Sequence, residues 1–449
     1  MKILIAGAGE VGYHLAKLFS YESHDITLID VDEERLAYAD KHLDIRTLEG
    51  DATSPTKLIE ANVEVTDLVI SVTSNQSINI TVCVFSKQLG CKRTVSRVSN
   101  DDLINNKDRL DIQSLGIDEV ISPEALAAEE MHLLLNQSGF TDTFEFENGA
   151  LKMIGLTLRS KAAFIGKTVQ EAAKVYPGIH FVPIAMQRFG TQYTIIPRGD
   201  TEFKRGDRVY FVTDDEGLEE LYKLTGAEKR VIKNVMILGG SNIGRTLACQ
   251  LSSSNYNVKL IEKNDKKALQ IADSLPNILV INEDGRNVGL LEEENIEKMD
   301  AFIAVTENSE TNIMSCLVAN TKNVKKTIAL VENMDYFQLS HNIGINSLVN
   351  KKLIAANNIF RYIRKGDLVA MTKLNNMNAE LMEFKVKSTS LVCGNSIAEI
   401  DFPRTAVVGG VIRDGKGEIA LGDFVVKEGD HVVVCCLPKS IKRVEKLFC

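Results

Sequence analysis

No stretch of this chain approaches the ~18 consecutive apolar residues that a membrane-crossing helix requires, so no transmembrane segment of its own is expected. An excess of basic residues is missing too. Lys and Arg number 52 against 61 Asp and Glu, and a net charge of −9 argues against nucleic acid as the main ligand. The eight cysteines are scattered, only Cys435 and Cys436 being adjacent, and they form no CxxC pair and no Cys/His zinc spacing. Reduced thiols and no metal site are the expectation. Met1-Lys2 leads straight into Ile3-Leu4, which predicts that no signal peptide precedes the fold. The local basic groups, Lys322, Lys325 and Lys326 and then Lys439, Lys442, Arg443 and Lys446, read as solvated helix faces.

What the chain does contain, it contains twice. Residues 3–6 are an apolar run that opens into Gly7-Ala8-Gly9-Glu10-Val11-Gly12. Residues 235–238 repeat the run and open into Gly239-Gly240-Ser241-Asn242-Ile243-Gly244, 232 residues later. Asp30 and Glu262 close the following strands at the same offset of 232. A short strand, a glycine turn, a helix and an acid about twenty residues on make the dinucleotide-binding fingerprint.

The texture between these marks defines the fold. Short β-branched runs at 3–6, 26–30, 45–48, 68–72, 94–98 and 119–121, the candidate strands, alternate with segments of helical spacing, such as 11–20 and 78–89. This predicts a doubly wound, Rossmann-like parallel sheet of six strands, covered on both faces. Ser122, Pro123 and Glu124 suit the cap and first turn of its last helix. Residues 151–158, 181–186, 191–196 and 209–212 then read as strands, with helices at 167–176 and 215–224 and hairpin turns at Arg188-Phe189-Gly190 and Arg205-Gly206-Asp207. That is a small α+β unit.

The small unit also returns: Gly199-Asp200 and Gly206-Asp207 recur as Gly422-Asp423 and Gly429-Asp430, at an offset of 223. The expected order is therefore two α/β lobes, each followed by an α+β lobe, with boundaries at 1–137, 141–228, 232–364 and 370–449. The connection 226–233 is short, so the halves are expected to pair about a pseudo-twofold axis.

Each fingerprint residue has a physical task. Gly7 permits the turn, Gly9 lets a pyrophosphate approach the backbone, and Gly12 lets the helix pack closely on the strand. The helix N-terminus, from Glu10 and Val11 on, turns its N–H groups to the phosphates. Asp30 is placed to accept hydrogen bonds from ribose hydroxyls. No arginine directly follows it, which favours NAD(H) or an adenine nucleotide over NADP(H). In the second copy Ser241 replaces the central glycine and Glu262 the aspartate, which weakens the cleft.

With these residues in view, the chain resembles the TrkA-type regulatory subunits of Trk potassium uptake systems, two RCK (KTN) units in tandem, over essentially its whole length. The further marks are Glu49-Gly50-Asp51-Ala52-Thr53, Val72-Thr73-Ser74-Asn75 and Asn79, answered by Asp284, Val305-Thr306-Glu307-Asn308 and Asn312. The resemblance implies that Asp51 and Ala52 lie near an adenine, that Thr73 and Asn75 lie near phosphates or the second ribose, and that Asn79 lines the cleft. It implies a phosphate-facing role for Arg97, where the second copy has Leu330. It further implies NAD(H), ATP or ADP as ligands. By resemblance, tandem chains form a tetrameric gating ring of eight lobes beneath a membrane-spanning, Trk-type potassium transporter, on its cytosolic face.

Two other functions compete: a regulator of a different cation transporter or antiporter, and an NAD-dependent dehydrogenase. A dehydrogenase needs a positioned proton donor or acceptor. None of the seven histidines recurs at the duplicate offset or stands in a catalytic context, and the α+β lobes are small for a substrate domain. Purified chain mixed with NADH and a panel of 2-keto acids is therefore expected to give no oxidation above background, read as absorbance of the reduced nicotinamide. Steady turnover would favour the dehydrogenase.

Overall fold

The computed structural model describes residues 1–20, 24–99, 103, 109–136, 139–140, 142–175, 180–191, 193–226, 231–332, 345–363, 368–374 and 377–448. Two six-stranded sheets carry the α/β lobes. The first contains Lys2–Ala6, Asp25–Asp30, Arg46–Glu49, Leu68–Ser71, Arg93–Arg97 and Glu119–Ile121, in the spatial order 3-2-1-4-5-6 and parallel throughout. Asn234–Leu238, Asn257–Ile261, Leu279–Ile281, Ala301–Ala304, Lys326–Leu330 and Ser347–Val349 repeat that order. The fold is the doubly wound one expected. Its central strands are apolar because helices cover both faces; Leu4, Ile5, Val69 and Ile70 are wholly buried.

Two five-stranded antiparallel sheets form the smaller lobes. Asp142–Phe146, Leu151–Thr157, Phe181–Gln187, Thr194–Ile195 and Arg208–Thr213 make the first; Leu368–Lys373, Glu380–Lys385, Ala406–Arg413, Lys416–Glu418 and His431–Cys436 make the second. The strand expected over 191–196 shrinks to Thr194–Ile195, an edge strand with one neighbour, paired only to Gln187 and Met186.

The halves interlock. The last helix of the first α/β lobe, Pro123–Asn136, is capped by Ser122, whose Oγ accepts from Ala125 N at 3.1 Å. Its residues Ala127, Ala128, Met131, Leu134 and Leu135 are buried in one core with the second lobe's sheet and with Leu247 and Leu251. Reciprocally, Ala355, Ala356 and Ile359 of helix Lys351–Ile363 join the core of the first lobe, beside Leu15 and Phe19. The two smaller lobes share a third core, in which Tyr210, Val212 and Ile184 meet Leu381, Val433 and Cys435. Their backbones touch: a Cβ on Gly417 would lie 2.1 Å from Ala150 O. The halves thus lie against each other as expected, although residues 227–230 of the connection fall outside the described residues.

One expectation is corrected. Lys326 is not on a solvated helix face but on a central strand, 1% exposed, with Nζ donating to Phe140 O at 2.7 Å. A buried ammonium needs such acceptors. Asp118 is bound by Lys87 Nζ at 2.8 Å and by Thr94 N at 2.7 Å.

Glu130, on the exchanged helix Pro123–Asn136, has its carboxyl pushed up from 4.5 to about 8, by burial first and then by neighbouring Asp142. The folded chain therefore favours the neutral acid. This contribution to stability is fully present below about pH 4.5 and is lost as pH rises to about 8. Across that window the wild-type Tm should decline more steeply than that of Glu130→Gln, which cannot ionise, in thermal melts at matched ionic strength. Parallel pH profiles would refute this assignment.

Candidate nucleotide-binding clefts

Parallel register brings the candidate residues to one end of each α/β sheet. Ala6 pairs with Ile29 on one side and Ser71 on the other, so the glycine turn, Asp30 and the 72–75 loop emerge side by side. Gly7 has φ +106°, in the region that favours glycine, and a Cβ on it would stand 3.0 Å from Thr73 N. At Gly12 a Cβ would be 1.8 Å from Gly7 O. Both glycines are demanded by the fold itself. Gly9 is different: its Cβ would meet only Arg35 Nη1, at 3.9 Å. The space in front of Gly9 is a cradle that the protein's own packing does not need, and it fits a pyrophosphate approaching the helix N-terminus.

The acids do more than wait for a ribose. One Asp30 oxygen accepts from Ala8 N, and the other accepts from Asp32 N at 2.9 Å. Glu262 binds the equivalent pair, Gly240 N at 2.8 Å and Asn264 N at 2.7 Å. Its extra methylene is absorbed by a smaller neighbour. Where the first copy has Ala8, the second has Gly240, on which a Cβ would lie 2.8 Å from Glu262 Oε2. The pair Ala8/Asp30 is exchanged for Gly240/Glu262 with the clip intact.

Ser241 does not simply block the second cradle. It is the N-cap of helix Asn242–Ser253: its Oγ accepts from Gly244 N at 3.3 Å and donates to Val305 O at 2.8 Å. It thereby uses a helix N–H that the glycine at position 9 has no side chain to engage. Gly239 and Gly244 repeat the close approach of the first copy, with a Cβ at 244 placed 2.0 Å from Gly239 O. Val11 and Ile243 face inward, into the cores.

Thr73, Asn75 and Asn79 are largely occupied with one another. Asn75 caps helix Gln76–Gln88 through Ser77 N at 2.9 Å. Asn79, 1% exposed, accepts from Thr73 N at 2.9 Å and donates to Arg97 O at 2.9 Å, locking the ends of two strands. Thr306, Asn308, Asn312 and Leu330 O repeat this network. Arg97 turns its Nη2 to Glu124 Oε1 at 2.9 Å, and both side chains are largely buried. Among the described residues, Arg97 Nε and Glu124 Oε2 are buried with no hydrogen-bond partner. Asp51 accepts from Thr53 N and Oγ1, each at 2.8 Å, and these bonds hold its carboxyl below the ordinary range; Ala52 is buried beside it. Arg286 grips Asp284 through Nε at 3.0 Å and draws its carboxyl down to about 2.

Sequence reasoning missed four residues here. Gly240 was read only as turn, and Arg286 and Arg35 lie outside the fingerprint. Lys352, from the far half, ion-pairs with Glu10 in the first turn of the first glycine-loop helix. Lys352 and Lys351 also hold Glu332, at 3.5 and 2.8 Å. Burial pushes that carboxyl up, but the two lysines bring it below its usual value. Asn242, the counterpart of Glu10, reaches back to Ser99 O at 3.4 Å. Only the cross-half packing could have revealed these contacts.

Duplicated Rossmann-like lobes with antiparallel companions define a tandem RCK architecture. Residues 3–123 and 235–351 match the family model of the TrkA-N domain, and residues 153–226 and 381–448 that of the TrkA-C domain. The chain belongs to the TrkA family. The Trk system potassium uptake protein TrkA homolog 2 of Methanosarcina mazei is 32% identical over 456 residues, with both chains covered in full. The crystal structure of the GsuK RCK domain shares the fold at a TM-score of 0.62 and 15% identity, covering 100% of this chain and 94% of that one. The GsuK channel bound to NAD gives a TM-score of 0.61 at 14% identity, with coverage of 100% and 78%.

The glycines make a paired prediction. Gly9→Ala should melt within about 0.5 kcal/mol of wild type yet lose nucleotide-induced stabilisation. Gly12→Ala should cost about 1–3 kcal/mol through overpacking. Thermal melts with and without NADH or ATP measure both. A Gly9→Ala chain that still shifts as wild type does would contradict the cradle assignment.

Proposed function

We propose that this chain is a nucleotide-sensing regulatory subunit, without chemistry of its own, that controls potassium uptake through a membrane-spanning Trk-type partner. Membership of the TrkA family supports that reading, and so do relatives named as Trk potassium uptake proteins. NAD(H) is proposed as ligand with ATP and ADP as alternatives, in line with a fold neighbour described as bound to NAD. In the first cleft, the backbone from Gly9 to Gly12 would hold the phosphates and Asp30 the ribose hydroxyls. Asp51 and Ala52 would border the adenine. Thr73, Asn75 and Asn79 would shape the wall, and Arg97 would face phosphate once released by Glu124. The second cleft, with Ser241, Glu262, Asp284 and Thr306, would bind more weakly.

The observation that carries the proposal is the position of Glu10 and Asn242. Each opens a glycine-loop helix, and each is held by the opposite half, through Lys352 and Ser99 O. A ligand seated at either turn therefore acts on a contact between halves, which is what a switch needs. It biases the assembly only by its difference in affinity for two arrangements. Among the described residues, no helix is long and apolar enough to cross a membrane, so a gate would belong to the partner. The four lobes would follow the boundaries 1–137, 141–228, 232–364 and 370–449, and four chains would supply an eight-lobed ring at the cytosolic face.

Two measurements test this. The full chain should co-elute with the detergent-solubilised Trk-type transporter subunit. Nucleotide should also change potassium flux through the reconstituted pair by several-fold to about a hundred-fold, the range of typical allosteric coupling. Failure to co-elute under any nucleotide, with flux unchanged, would overturn the proposal.

A further inference from the structure

The seam between the two smaller lobes holds a group of side chains that the nucleotide reading does not use. Glu147 opens the tight turn between the strands Asp142–Phe146 and Leu151–Thr157 of the first lobe. Glu383 and His431 lie on adjacent strands of the second. His431 Nδ1 is 2.7 Å from Glu383 Oε1 and 3.5 Å from Glu147 Oε2. One ligand-capable atom from each residue lies within 4.8 Å of the other two.

We propose that Glu147, Glu383 and His431 form a binding site for a divalent transition-metal ion of the zinc class, which ties the first small lobe to the second. Zn–N and Zn–O bonds near 2.0–2.2 Å place tetrahedral ligands about 3.3 Å apart, so Glu147 already stands near that spacing from His431 and Glu383 would draw back by about 0.6 Å. One imidazole with two carboxylates selects a borderline-soft ion over magnesium or calcium, which prefer oxygen alone. Without an ion, His431 and Glu383 are joined by a 2.7 Å hydrogen bond, which a bound metal would replace. Glu383 is 1% exposed and fixed in the sheet, whereas Glu147 is exposed and gives an entry path. The turn carrying Glu147 has little freedom to retreat, because Ala150 O packs directly against Gly417 of the other lobe. Three protein ligands leave a fourth position for water.

The duplication sharpens the case. His431 stands at the register position that Arg208 fills in the first small lobe, at the offset of 223 that relates the Gly-Asp turns. Arg208 there donates to buried Asp142 at 2.8 Å, an ion pair in which no nitrogen can ligate a metal. The second lobe offers an imidazole nitrogen instead, and Glu147 of the opposite lobe comes alongside it.

The test is a calorimetric titration of the EDTA-stripped full chain with Zn²⁺. It is made in a Cys249→Ser background, because that exposed thiol is a competing zinc ligand. About one equivalent should bind per chain and raise the Tm, since a ligand of the folded state stabilises it by mass action. Glu147→Gln and His431→Gln should each weaken binding at least tenfold, while Mg²⁺ and Ca²⁺ at equal concentration leave the Tm unchanged. Glu147→Gln alters an exposed turn and should melt as wild type without metal. Co²⁺ should give the intense visible bands of tetrahedral N/O ligation without a thiolate charge-transfer band. Absence of Zn²⁺ binding, or binding in both variants as tight as in the parent chain, overturns the proposal.

Discussion

The rest of the structure depends on one exchange: each nucleotide fold buries its last helix against the other copy. An α/β lobe must cover both faces of its sheet, and here part of that cover is supplied in trans. Helix Pro123–Asn136 completes the core around Leu247 and Leu251, while helix Lys351–Ile363 completes the core around Leu15 and Phe19. Neither lobe can shift without dragging the helix that seals its twin. The shared core of the small lobes closes the loop at the other end. Duplication alone would give two independent lobes; duplication with exchanged helices gives one coupled body.

The clefts are built from the same constraint. The glycine turn, the acid and the Thr-Asn loop meet because parallel strands in register end together. Within that frame the copies have diverged in a readable way. Both keep an acid clipped to two backbone N–H groups, and the second does so with a longer acid and a smaller neighbour. Only the first keeps an open cradle, since Ser241 spends its hydroxyl on the helix cap. The two cradles therefore differ through a single side chain.

Much of this was legible in the sequence, for a physical reason. Strands buried on both faces must be apolar throughout, so 3–6 and 235–238 announce themselves, and the fixed offset exposes the duplication. The glycines and acids were legible because each is tied to local backbone geometry. What escaped is what tertiary packing decides. Lys326 directly follows Lys325, with Lys322 a few residues before, and reads as surface, yet the strand it opens carries it into a seam, where Phe140 O receives it. Arg97 looks free until Glu124 is folded beside it. Lys352 and Glu10 are separated by more than three hundred residues, and Glu147, Glu383 and His431 are spread over two lobes with no spacing motif to link them.

The central claim is that occupancy of the first cleft is felt by the second half through the exchanged helix. Hydrogen exchange of the full chain, with and without saturating NADH or ATP, tests it most directly. Slower exchange is predicted both in the glycine turn at 7–12 and in helix Lys351–Ile363, whose residues lie outside the first α/β sheet. Protection confined to the first lobe, with residues 351–363 exchanging as in the free chain, would contradict it.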